Sequence, residues 1–281
     1  MIIYSRYFPK EMLDHHLNGD DYLKNLPITI FNDYLASYDE LNQNPYNILI
    51  LVEPNEVTGM YEWAKENHNY FSCILTWDKD LLQICPNTML NPYGMTSRFC
   101  RPWDEYHKLP VYKQPNTNIN KKYEISFLCG TKQILPGHIL RHNIFSNQNN
   151  INIPNHILYS TNDRVYWENG KDRCWESMFH IAVENTKHNN YFTEKIIDAF
   201  LTKTIPIYWG CPNLGEYFNM EGVITFNIVE ELIDIVNNLT PEFYESKKEV
   251  MEENFNKALI YANYIERLKN LLILICKHNN I

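Results

Sequence analysis

Residues 179–217 read FHIAVENTKHNNYFTEKIIDAFLTKTIPIYWGCPNLGEY, and this stretch decides the fold. Phe179 to Val183 is a short apolar run bounded by polar residues, as in a buried parallel strand. Glu184 to Asn190 has no long apolar side chain and reads as a loop. Thr193 is placed to cap a helix that begins with Glu194 and Lys195. Ile196, Ile197, Phe200 and Leu201 give that helix one apolar face. Thr204 to Trp209 is a second strand, stopped by Gly210 and Pro212. The order is strand, helix, strand, a βαβ unit whose polar residues gather at one end.

That end joins the C-terminal edge of the first strand to the N-terminus of the helix, where open α/β sheets hold ligands. Free N–H groups and the helix dipole make such an end a seat for phosphate. Lys195 in the first turn runs against the preference for acidic residues there. A bound anion explains it, and so does a surface salt bridge. Asn185, Tyr191, Glu194 and Lys195 lying together favour a nucleotide site.

The same residues resemble a known family. Glu184-Asn185, five residues, Tyr191-Phe-Thr-Glu-Lys195, then IIDAF, TIPIYWG and a CPN turn are similar to the donor-binding signature of the family 10 glycosyltransferases, the α-1,3/4-fucosyltransferases. The match is less close over Ile125 to Phe145 and only in outline in the N-terminal third. The resemblance implies two Rossmann-like α/β domains facing a cleft (GT-B type), with C-terminal helices packing across. It implies GDP-fucose as donor, a glycan hydroxyl as acceptor and inversion at the anomeric carbon by direct displacement. It places Asn185 and Tyr191 in the donor pocket and a donor-phosphate arginine on a helix that matches His138 to Phe145, which gives that role to Arg141. It implies a glutamate general base near the end of an N-terminal strand. Animal members usually carry a stem and membrane anchor. With neither in its sequence, the chain is expected to be like the soluble bacterial or viral members.

Read from the residues alone, Asn47 to Val52 (NILILV) is a buried strand that ends at Glu53-Pro54-Asn55-Glu56. Glu53 is the first candidate for the base and Glu56 the second. Glu56 also suits a cap on a helix from Val57 to Asn67. Arg141 lies one turn inside its helix, where a guanidinium can grip phosphate as a fork. Lys132 in the preceding loop is the alternative cation. Glu194 is a hydrogen-bond acceptor for ribose hydroxyls. Asp78-Lys79-Asp80 has the form of a metal-binding Asp-x-Asp, yet two aspartates at a helix start are better read as caps. No metal or other cofactor is expected, because cations and a helix end already supply positive charge.

The flanking sequence fills in the frame. Met1 to Tyr4, Ser72 to Thr76, Thr88 to Leu90, Tyr123 to Cys129, His156 to Tyr159 and Gly222 to Phe226 are further expected strands. The segment from the first of these to about Asp33 is mostly polar. Residues 101–122 hold three prolines and little periodicity, the mark of a linker. The expected division is an acceptor-side domain over 1–110, a linker over 111–122, and a donor-binding domain over 123–281 with terminal helices. The cleft between the domains would hold the active site. Asn162 to Arg173 is expected to be a loop folding over substrate. A helix from Glu242 to about Asn254 should continue from Phe255 to Cys276, with a stripe at Ile260, Tyr264, Leu268, Leu271, Leu272 and Ile275 that packs on core or docks on a partner or membrane surface.

Composition sets the outer bounds. With 281 residues, 44% of them hydrophobic, the chain can bury a large core. A formal charge of −9 argues against broad nucleic-acid binding, though not against one local basic pocket. Seven cysteines with no CxxC signal neither a disulfide framework nor zinc, and point to a reducing, cytoplasmic setting. No stretch reads as a signal peptide or membrane span. Two rivals stand beside the fucosyltransferase reading. One is a transferase of another nucleotide sugar, and the other is a non-catalytic carbohydrate-binding domain on the same fold.

Overall fold

The computed structural model describes residues 1–8, 10–96, 119–159, 171–279 and 281. The chain forms two units. Among the described residues the first takes 1–93 and 263–281, and the second takes 94–96 and 119–262. The linker expected over 111–122 lies mostly outside the described residues, as does most of the loop expected over 162–173.

The first unit carries a five-stranded sheet of β1 (Ile2–Ser5), β2 (Ile28–Asn32), β3 (Tyr46–Ile50), β4 (Cys73–Thr76) and β5 (Thr88–Leu90). All neighbours are parallel, and the spatial order follows the chain, β1-β2-β3-β4-β5. Strand β2 corrects the sequence reading, which passed over it as a polar segment. All five of its residues are buried. Its polar members find partners only in the folded protein: Asn44 donates to Thr29 Oγ1 (3.0 Å) and Asn32 donates to Ser5 Oγ (3.4 Å). The helix expected over 57–67 is two short ones, Asn55–Thr58 and Tyr61–Glu66, broken at Gly59. Gly59 sits at φ 66°, a left-handed position that favours glycine. Asp78 is a helix cap, accepting from the Leu81 N–H at 2.8 Å.

The second unit carries β6 (Lys122–Cys129), β7 (Asn155–Tyr159), β8 (Ser177–Val183), β9 (Ile205–Trp209) and β10 (Ile224–Thr225), again all parallel. Here the order is β10-β9-β8-β6-β7. The chain steps outward from β6 to β7, then returns to the other side of β6 for β8. The connections leaving β6 and β8 therefore diverge. Parallel sheets bind ligands at such a reversal. The first sheet, in simple sequential order, has none.

Alternation along the strands builds a core against each face of this sheet. Ile125 and Phe127 of β6, Phe179, Ile181 and Val183 of β8, and Ile205 and Ile207 of β9 share one face with Ile144, Leu232 and Met251. Ala182 and Tyr208 face the other way, against Ile196, Ile197 and Phe200 of the helix Glu194–Leu201. Each such Ile or Phe withdrawn from water contributes roughly 1.5–3 kcal/mol, so the helix is held firmly by its buried face. The terminal helices are Lys248–Ala262 and Tyr264–His278, separated at Asn263, which caps the second by accepting from the Glu266 N–H (3.2 Å). Tyr264, Leu268, Leu272 and Ile275 of the expected stripe are buried, whereas Ile260, before the break, is 65% exposed. No helix among the described residues is long and apolar enough to cross a membrane.

Candidate functional site

Two loops leave the reversal edge of the second sheet. One follows β6 and enters the helix Pro136–Ser146. The other follows β8 and enters the helix Glu194–Leu201. They meet at Gly137, whose N–H donates to the Asn185 carbonyl at 2.9 Å. A Cβ at this position would overlap the Glu184 carbonyl oxygen. Glycine therefore lets the first helix start directly on the end of β8.

One turn later the same helix delivers Arg141. Its Nε donates back to the Gly137 carbonyl (3.1 Å) and its Nη2 donates to Asn185 Oδ1 (2.5 Å). The fork is thus aimed across the reversal at the β8 loop. Arg141 and Asn185, 44 positions apart in sequence, are brought together.

The second helix end is organised by Glu184, the first residue of the signature, to which the sequence gives no role. Its carboxylate is buried and accepts from the Thr193 N–H (2.9 Å) and the Thr193 hydroxyl (2.7 Å). Tyr208 donates from its hydroxyl at 3.4 Å. Lys195 Nζ lies 3.6 Å from Glu184 and 3.1 Å from Glu194, and donates to Thr193 Oγ1 at 3.0 Å. Burial lowers the lysine's pKa, but Glu194 and Glu184 outweigh it and hold the pKa above its usual value. The oddly placed first-turn lysine therefore has internal acidic partners. Its side chain keeps 20% of its surface exposed and that of Glu194 keeps 26%.

The site's field is read out by His138, on the first turn of the Arg141 helix. The Leu135 N–H donates to His138 Nδ1 at 3.1 Å, which requires that nitrogen to be unprotonated. Burial, then Arg141, Lys132, Lys195 and His142, push the imidazole down to about 4. Burial is the main cause, and the cations add to it, so His138 lies beside local positive charge in a chain of net negative charge. No sequence pattern announced His138.

The loop between β8 and its helix is fixed from below. Asn190 adopts φ 63°, which asparagine tolerates. Its N–H donates to Asn213 Oδ1 (2.7 Å), and its Oδ1 accepts from Asn213 (2.8 Å) and from the Tyr217 hydroxyl (2.7 Å). The CPN turn is thereby the loop's anchor. Tyr191, expected beside the ligand, is 2% exposed. Glu53 lies in the first unit, directly beyond β3, and is half-buried. Glu56 is exposed on the helix Asn55–Thr58.

Parallel sheets in two units, one with a reversal that gathers cationic side chains, make a fold of two Rossmann-like α/β units. Residues 156–246 match the model described as glycosyltransferase family 10 (fucosyltransferase), C-terminal. The alpha-(1,3)-fucosyltransferase FucT of Helicobacter pylori is 42% identical over 64 residues, 22% of this chain and 13% of that protein. The putative fucosyltransferase R654 of Acanthamoeba polyphaga mimivirus is 28% identical over 103 residues, 35% of this chain and 17% of that protein. The matched stretches thus span less than a fifth of these curated relatives. A crystal structure of an alpha1,3-fucosyltransferase superposes with TM-score 0.56 at 19% identity, covering 94% of this chain and 89% of that one. The structure titled as that enzyme with GDP-fucose gives 0.55 at 20% identity with the same coverage. At these identities the superpositions establish the two-domain fold.

Proposed function

We propose that this protein is an inverting glycosyltransferase that moves L-fucose from GDP-fucose to a hydroxyl of a glycan acceptor. The observation that carries the reading is the cationic reversal edge, where Arg141, Asn185 and the Lys195 helix end meet inside the family 10 signature. The diphosphate of the donor is proposed to sit there. Arg141 and Lys195 offset the negative charge that grows as the bond from C1 to the phosphate oxygen breaks. Glu194 accepts from the ribose hydroxyls, and Tyr191 contributes from beneath the loop. The acceptor oxygen attacks C1 from the opposite side, and Glu53 takes the acceptor's proton. The leaving group departs as GDP, and the configuration at C1 inverts. Two cationic side chains and a helix end supply the charge in this scheme, so no metal is assigned a step. The first unit is assigned the acceptor side and the second the donor side, and the setting is taken as cytoplasmic.

The phosphate-binding residues do not read the sugar or the base, so another nucleotide sugar is the rival reading. A thermal-shift panel separates them. At a hundred times its Kd a ligand that binds only the folded state adds about 2.7 kcal/mol, several degrees in Tm. GDP-fucose and GDP are expected to give that shift, and UDP- and dTDP-sugars to give none. A larger shift with UDP- or dTDP-sugars would reassign the donor. No shift with any nucleotide would favour a non-catalytic carbohydrate-binding domain.

A further inference from the structure

Glu53 is held at both ends of its peptide unit by buried groups of the first unit. Asp33 stands at the end of β2, fully buried, with its own N–H donating to the Ile50 carbonyl at 2.8 Å. Its carboxyl accepts from the Val52 N–H (2.8 Å) and from the Glu53 N–H (3.1 Å to one oxygen and 3.3 Å to the other). On the other side, the Tyr61 hydroxyl donates to the Glu53 carbonyl at 3.0 Å. Tyr61 is itself buried and packs at 5.8 Å on Trp77, whose indole N–H donates to the Val52 carbonyl at 2.8 Å. Four consecutive backbone polar groups, the N–H and C=O of Val52 and of Glu53, are thus fixed by three buried side chains from three different segments.

Asp33 takes φ 45°, a left-handed conformation uncommon outside glycine. Strained backbone persists where surrounding contacts over-determine it, and such positions cluster at working sites. Here the strain turns a carboxyl inward onto the backbone of the strand next door. An ordinary strand end needs no such clamp.

We infer that Asp33, assisted by Tyr61, is a positioning residue that fixes the direction in which Glu53 presents its carboxylate. The inference rests on the proposed role of Glu53 as base. A base displaced by about 1 Å loses on the order of 10²-fold in rate, so a rigid mount has a catalytic consequence. Burial pushes the Asp33 carboxyl up to about 8, with the neighbouring Glu53 adding to it against the two backbone bonds. Asparagine therefore imitates the neutral acid in shape, accepts through its own Oδ1, and tolerates the left-handed backbone.

The test compares Asp33→Gly, Asp33→Asn, Tyr61→Phe and Glu53→Gln in the full chain. Glycine removes the clamp while relieving the strain at φ 45°. Turnover is read as GDP released from GDP-fucose in the presence of an oligosaccharide mixture, and donor affinity as calorimetric binding of GDP. Asp33→Gly is expected to lower kcat by about 10²-fold with GDP affinity unchanged, and Asp33→Asn to restore most of the rate. Tyr61→Phe, which keeps the ring packing, should lower kcat in the same direction without touching GDP affinity. If circular dichroism shows Asp33→Gly unfolded, Tyr61→Phe decides. Normal turnover in the folded glycine variant, or failing that in Tyr61→Phe, beside a slow Glu53→Gln would overturn the positioning role and leave the base assignment standing. An equal loss in Asp33→Gly and Asp33→Asn would also overturn it, since charge and not placement would then matter. Normal turnover in Glu53→Gln would remove the base assignment and this inference with it.

Discussion

Glu53→Gln is expected to slow fucosyl transfer by about 10²–10⁴-fold while GDP-fucose binds as before. The glutamine keeps the size of the side chain and its backbone mount, with the Glu53 N–H on Asp33 and the Glu53 carbonyl on Tyr61. It removes the carboxylate's capacity to take a proton, since the amide is not basic. The acceptor hydroxyl would then have to attack C1 still carrying its proton, so the loss belongs in kcat and not in donor affinity. Separate measurement of GDP binding and of turnover distinguishes the two. If turnover is normal, the base is elsewhere, with Glu56 the next residue to replace.

Arg141→Ala is the second large effect, and it should appear in binding. The guanidinium presents five N–H donors, and the Gly137 carbonyl and Asn185 side chain hold it in orientation. Each hydrogen bond to a charged group is worth about 1.5–3 kcal/mol, and every 1.4 kcal/mol is about tenfold in Kd. A phosphate gripped by both arms of the fork therefore loses at least tens of fold in affinity when the side chain goes. Arg141 is a cleaner probe than Lys195 because of Glu184. Lys195→Ala would strand a buried carboxylate, which costs about 3–5 kcal/mol of stability before any ligand is considered. Pairing it with Glu184→Gln should restore the melting temperature but not the affinity for GDP. Calorimetry on Arg141→Ala checks the prediction, and an unchanged Kd would place the diphosphate away from this fork.

The βαβ unit was legible because its signals are local. Phe179 to Val183 is apolar but for His180, Thr193 stands at a cap position, and the pattern of period 3.6 after it is short and clear. Arg141 and Lys195 were legible because each is a cation near the start of a helix that follows a strand. Strand β2 was not, since Thr29 and Asn32 break the apolar run and are satisfied only by Asn44 and Ser5 in the folded protein. Glu184 was hidden for a similar reason. A carboxylate just after a strand looks like loop, and its partner Thr193 lies nine residues away across a turn whose conformation no propensity specifies. Asp33 depends on a left-handed φ, and the role of Gly137 on a close approach between two connections. Both are properties of the assembled sheet edge. The family signature marked a candidate edge for the ligand, while the acidic partners of Lys195 had to be read from the fold.

The central claim is that a diphosphate rests among Arg141, Lys195 and the helix ends at the β6/β8 reversal. Burial, and after it the nearby Arg141, Lys132 and Lys195, hold the His138 imidazole down to about 4. The most direct test follows the His138 ring by NMR through a pH titration, without nucleotide and with saturating GDP, assigning the signal by its loss in His138→Gln. A diphosphate at this edge brings negative charge to the same place and should carry the titration upward, toward the ordinary histidine range near 6.5. A His138 titration that saturating GDP leaves unmoved would contradict the account.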